Sequence, residues 1–165
     1  MRTSMLSLAA LAAAVVGVGC EGIDNYTDPV TAWESELLGA NEVPALATPS
    51  LARGTATFSI ASATGTTLTY SIRIETLPAA PFTITAAHLH QANVGSSAAA
   101  AVNLCGAGTA PACNTLTAAG VLATGTATLT AAQVTAMRAF GMYVNVHTAA
   151  NIGGEIRGQL RIVAP

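Results

Sequence analysis

All three histidines of the chain fall in two short segments, TAAHLHQ at residues 85–91 and YVNVHTAANIGGEIRGQL at 143–160. Extended backbone sends alternate side chains to opposite faces, so His88 and His90 project together while Leu89 points the other way. By the same rule Tyr143, Asn145 and His147 share one face of the second segment, with Val144 and Val146 on the other. As neighbouring strands the two segments would bring three imidazoles together, a donor set that suits copper or zinc and leaves a coordination position open. The competing reading is an ion-free cluster in which Asn145, Thr148, Glu155 and Arg157 satisfy the histidines through both ring nitrogens. In GEIRGQL, Glu155, Arg157 and Gln159 lie on one face with Ile156 and Leu160 toward the core, which predicts a cross-strand ion pair that fixes register. No acid lies between Glu75 and Glu155, so a carboxylate supporting a metal would come from one of those two.

Other chemistries find no footing. There is no G-x-S-x-G elbow, no H-E-x-x-H and no phosphate-binding loop, and Ser96 and Ser97 have no base or orienting acid to activate them. Glu75 and Glu155 would make a poor glycosidase pair, because sugar sites use aromatic platforms and the chain has a single tryptophan, Trp33. The 6 basic residues are all arginine, scattered beside 8 acids for a net charge of -2. That distribution gives no basic footprint, and nucleic acid is excluded as a partner.

The elements that would position the histidines are strands. The chain has 165 residues, 52% of them hydrophobic and 8% charged. With 36 Ala and 22 Thr it is too apolar for disorder and too rich in Thr and Gly for a helical bundle. ARGTATFSIAS alternates Ala56, Phe58 and Ile60 against Thr55, Thr57 and Ser59. TTLTYSIRIETL alternates Leu68, Tyr70, Ile72 and Ile74 against Thr69, Ser71, Arg73 and Glu75. A turn at Ala63-Thr64-Gly65 would join them as antiparallel partners. Further strands are expected at Trp33 to Leu38, Thr83 to His90, Val121 to Leu129, Gly141 to Thr148 and Glu155 to Val163, with an irregular crossing at 96–101. The spacing predicts an all-β fold, an antiparallel sandwich or Greek-key barrel with one short helix. That helix starts at the capping box of Thr130 and Gln133, runs over Ala131 to Phe140, and stops at Gly141.

The N-terminus reads as an address. Residues 1–19 carry Arg2, an apolar run from Met5 to Val18 and small residues before Cys20, the pattern of a secretory signal peptide. The run is too short to span a bilayer as a permanent helix. Gly17-Val18-Gly19-Cys20 resembles a bacterial lipobox, which implies diacylation of Cys20 and anchorage to a membrane. Each buried methylene would add about 0.8 kcal/mol to that anchorage. Residues 20–31 then serve as a linker, and 32–165 as a single domain. The expected location is the cell envelope, attached to a bacterial membrane (the outer membrane) or released. The remaining pair, Cys105 and Cys113 in CGAGTAPAC, reads as a disulfide of an oxidising compartment, because the spacing is too long and too flexible for a zinc site.

Four segments carry a family resemblance. LLGANEVP at 37–44, LTYSIRIETL at 68–77, TAAHLH at 85–90 and YVNVHTAANIGGEIRGQL at 143–160 resemble the motifs of the CHRD domain, the module repeated in animal chordin and present in exported bacterial proteins. The resemblance implies an all-β domain without established catalysis, here a binding or structural module whose protein or small ligand is unknown. The H-x-H strand also resembles the copper-ligating strand of copper-zinc superoxide dismutases. The alternative is thus a mononuclear copper or zinc protein using His88, His90 and His147, with simple redox chemistry.

Overall fold

A computed structural model describes residues 31–77 and 83–163. The signal segment, Cys20 and all of the linker but Thr31 lie outside the described residues. Among the described residues nine strands form one antiparallel sheet: β1 (Ala32–Leu38), β2 (Arg53–Ile60), β3 (Thr67–Thr76), β4 (Ile84–His90), β5 (Ala100–Cys105), β6 (Gly120–Thr128), β7 (Tyr143–Thr148), β8 (Ile156–Gln159) and β9 (Arg161–Ile162). A helix, α1 (Ala131–Arg138), separates β6 from β7. The strand order is β5-β4-β7-β8-β1-β2-β3-β6, with β9 pairing on β1. The two edge strands β5 and β6 approach each other, so the sheet curls into a nearly closed barrel. Among the described residues no helix is long and apolar enough to cross a membrane.

The curl follows from alternation. Ala56, Phe58 and Ile60 of β2 and Leu68, Tyr70, Ile72 and Ile74 of β3 all point inward and are buried, while Thr57, Ser59, Thr69 and Arg73 face water. Burying each large aliphatic or aromatic chain is worth about 1.5–3 kcal/mol, and the inward set from every long strand merges into one core. Trp33, Leu37, Leu89, Leu104, Leu122, Val144, Val146, Ile156 and Leu160 complete it. The seam is closed by side chains and a covalent bond. Tyr70 donates its hydroxyl to the Leu104 carbonyl at 2.6 Å. Cys105 at the end of β5 is bonded to Cys113, one residue before Asn114, whose amide bonds Leu122 of β6. The expected disulfide is therefore present, and it clamps the ends of both edge strands.

The capping box is present in full: Thr130 accepts from the Gln133 amide at 3.2 Å, and the Gln133 side chain accepts from the Thr130 amide at 2.8 Å. Val134 and Met137 dock into the core, so the helix covers one end of the barrel. Two details differ from the sequence expectation. The helix ends at Arg138, and the left-handed residue is Phe140 (φ 58), not Gly141. Phe140 is turned outward, half exposed, leaving Met137 as the last packed residue. The expected strand over Glu155 to Val163 is divided in two at Leu160: Ile156–Gln159 pairs with β7, the Leu160 amide bonds the Met142 carbonyl just before β7, and Arg161 and Ile162 pair with β1.

Candidate functional site

β4 and β7 are adjacent, in a register that sets His88 opposite Asn145, His90 opposite Tyr143, and His147 opposite Ala86. β8 follows, with Arg157 opposite Asn145 and Gln159 opposite Tyr143. Since Leu89, Val144, Val146 and Ile156 fill the core, all of these polar and aromatic side chains stand on the outer face. Outer faces normally meet water, yet every residue of β7 is buried. The cover is loop. Residues 91–99 fold back over the face, held by Arg157 Nη2 to the Ser96 carbonyl (2.6 Å) and by Gln159 Nε2 to the Ala92 carbonyl (3.0 Å). From the other end the 149–155 turn closes over His147, and Glu42, just past β1, reaches in to accept from Asn145 Nδ2 at 3.2 Å. Gly154 has φ 142, and a Cβ there would strike both Asn145 and Glu42, so glycine is required where the turn presses on the pit.

The histidines meet as the face rule anticipates. Each offers one ring nitrogen, and the three nitrogens lie within 4.8 Å of one another. His90 Nδ1 is 2.9 Å from the Ala98 carbonyl and His147 Nδ1 is 3.0 Å from the Ile152 carbonyl. A carbonyl only accepts, so both Nδ1 atoms carry the proton and both Nε2 atoms present a lone pair. Those Nε2 atoms and His88 Nδ1 are buried with no partner among the described groups. Burial, followed by the neighbouring imidazoles of His147 and His90, lowers His88 from 6.5 to about 4. Burial likewise lowers His90 and His147 against the pull of their carbonyl partners. Three neutral rings are the result.

Tyr143 organises one flank. Its ring lies flat against His90, 4.7 Å between centroids and 4° apart, and the Arg157 guanidinium covers its other side at 3.4 Å. The ring thus stands between a cation and an imidazole that would otherwise repel each other once protonated. Its hydroxyl accepts from the Ala98 amide at 3.2 Å, locking the loop that holds His90.

The predicted polar cluster is assembled, but with other partners. Thr148 Oγ1 and Asn151 Nδ2 both donate to Glu155 Oε2, at 2.7 and 2.6 Å. Burial alone would raise Glu155, but hydrogen bonds from Ser50, Asn151 and Thr148 outweigh it and hold the carboxyl low. Arg157 meets the Ser96 carbonyl and the Tyr143 ring, and Glu155 meets Thr148 and Asn151, so hydrogen bonds and a ring contact stand where a cross-strand ion pair was expected. Nor does this cluster satisfy the histidines, whose only hydrogen bonds among the described residues run to backbone carbonyls. Glu75, the other acid considered, accepts from Thr55 on an exposed face of the barrel's opposite half.

Sequence reasoning missed two participants. Glu42 is buried, which lifts its carboxyl from 4.5 to about 7, with the Asn145 hydrogen bond and Arg157 pulling the other way. Its signal was the E-V-P of the opening motif, far from the histidines in sequence. Tyr143 was placed on the right face, but nothing in the spacing marked it as the ring between His90 and Arg157. In all, seven buried polar atoms on this face have no hydrogen-bond partner among the described residues: those of the three histidines with Glu42 Oε1, Asn145 Oδ1, Arg157 Nη1 and Gln159 Oε1. A groove of about 310 Å³ between residues 42–47 and 150–154 opens onto Glu42.

No curated protein matches the chain, and no solved structure does. A sequence model of the CHRD domain, however, matches residues 33–160, from the first core tryptophan to the last core leucine and including every residue of the pit. The chain belongs to the CHRD domain family.

Proposed function

We propose that this is an exported, lipid-anchored CHRD-domain protein of a bacterial cell envelope, and that it acts by binding a small ligand in the covered pit rather than by catalysis. The observation that carries the reading is the concentration of unpartnered polar atoms. Leaving a buried donor or acceptor unmade costs about 1–3 kcal/mol each. Seven together on one face, against two on the rest of the described sheet, fit a site kept for a ligand.

Two measurements on the protein extracted from membranes of its own host test this. Mass spectrometry of the N-terminal peptide is expected to find Cys20 acylated, and an unmodified terminus downstream of Cys20 would overturn the anchor. Native mass spectrometry is expected to find mass beyond the lipidated chain, lost in Arg157→Met or His147→Phe. A bare lipidated mass in the unaltered protein would overturn the binding module.

A further inference from the structure

The geometry points to a mononuclear transition-metal site in which His88, His90 and His147 hold one copper or zinc ion. This rests on the preceding reading of the pit as a binding site and names its ligand. The donor set decides the class of ion. With three neutral nitrogens and neither thiolate nor carboxylate among them, the set suits copper and zinc and disfavours calcium and magnesium, which want oxygen.

Orientation supports it further. In metal sites a ligating histidine gives its second ring N–H to a carbonyl or carboxylate, which fixes the tautomer. His90 and His147 already do this through Ala98 and Ile152, and both are more than nine-tenths buried, at 6% and 8% exposure. Among the described residues their free nitrogens have no hydrogen-bond partner, while the Asn145 amide and an Arg157 nitrogen are given to Glu42 and Ser96. Asn145, opposite His88 in the strand register, gives its amide to Glu42 rather than to a histidine.

The three ligands are not equivalent. Metal–nitrogen bonds of about 2.0–2.1 Å in tetrahedral geometry place the nitrogens about 3.3 Å apart. The present separation of up to 4.8 Å must therefore shrink on binding. His90 and His147 are tethered through Nδ1, whereas His88 Nδ1 has no partner, and His88 is the least buried of the three. His88 is the ring that closes onto the ion.

The test uses the full chain, stripped with a chelator and titrated separately with Zn²⁺ and Cu²⁺. Expected are one equivalent bound, nitrogen hyperfine splitting in the electron paramagnetic resonance spectrum of the copper form, and affinity more than about 100-fold weaker in His147→Ala. That loss would exceed the 10–100-fold typical when only an orienting partner is removed. If His147→Ala does not fold, His88→Ala supplies the readout, since that ring is half-buried and untethered; its affinity must fall while its metal-free circular dichroism stays unchanged. Absence of saturable binding, or undiminished affinity in the histidine variants, overturns the site. An organic mass found in the pit by native mass spectrometry would overturn the metal and leave the binding module standing.

Discussion

The barrel has two halves built from the same kind of strand and finished differently. In β1-β2-β3-β6 the inward residues are apolar apart from Ser35, and much of the outer face is bare Thr, Ser, Arg and Glu in water. In β5-β4-β7-β8 the inward residues are equally apolar, but the outer face is roofed by loops and filled with histidine, tyrosine, asparagine and arginine. The first half spends its burial on stability. The second buries polar atoms it does not satisfy, which lowers stability and prepares a site. Stability and binding are thereby assigned to different sides of one sheet.

Core truncation in the bare half gives the largest expected effect. Phe58→Ala, at a residue 2% exposed, is expected to cost about 3–5 kcal/mol in denaturant unfolding. A cost below 1 kcal/mol would mean that this half is not the stabilising one. Next comes the seam between the halves. Replacing Cys105 and Cys113 together by serine frees a short loop and is expected to lower stability by about 2–3 kcal/mol. Equal melting with and without reductant would contradict the clamp.

Acid should reveal the roofed half. Burial holds His88 down at about 4 and lowers His90 and His147 as well, while 6.5 is the value of an unburied imidazole. The unfolded chain takes those protons first, so each ring lends stability that is complete above pH 6.5 and lost as pH falls through its folded value. Glu42 acts in reverse: lifted to about 7, it contributes fully below 4.5 and loses that contribution as pH rises through 7. Three rings oppose one carboxyl, so the metal-free protein should melt lower at pH 4.5 than at 6.5. A flat profile would show that water reaches the rings. A smaller effect has the opposite sign. His88→Leu removes a buried nitrogen without a partner, and metal-free protein is expected to gain about 1 kcal/mol. Smallest of all, Thr57→Ala on the bare outer face should stay within about 0.5 kcal/mol.

How far the sequence was readable also divides along this line. In the bare half, period-two alternation from Thr55 to Ile74 located β2, β3 and their turn, because one wet face and one dry face leave a plain mark. The capping box fixed the start of α1, whereas its end depended on which residue took the left-handed turn, a choice that favoured the exposed Phe140 over Gly141. In the roofed half the face rule placed His88, His90 and His147 together. It could not show what roofed them. The carbonyls of Ala98 and Ile152 are backbone groups brought in by loop paths, and Glu42 arrives from about a hundred residues away in sequence. Strand spacing led to a cross-strand ion pair on the face of Glu155, Arg157 and Gln159, whereas Arg157 takes the loop carbonyl of Ser96 and the ring of Tyr143, which no strand register could reveal.

The strand Tyr143–Thr148, buried on both faces, has a consequence for how the sequence can change. An ordinary amphipathic strand offers every second position as a place where substitutions are nearly silent. Here Val144 and Val146 answer to the core, Tyr143, Asn145 and His147 to the pit, and Thr148 to Glu155, so none of the six positions is free to drift. A saturation scan read out by folding and by ligand capture should therefore find no tolerant column across this hexapeptide, with the odd and even positions failing for different reasons.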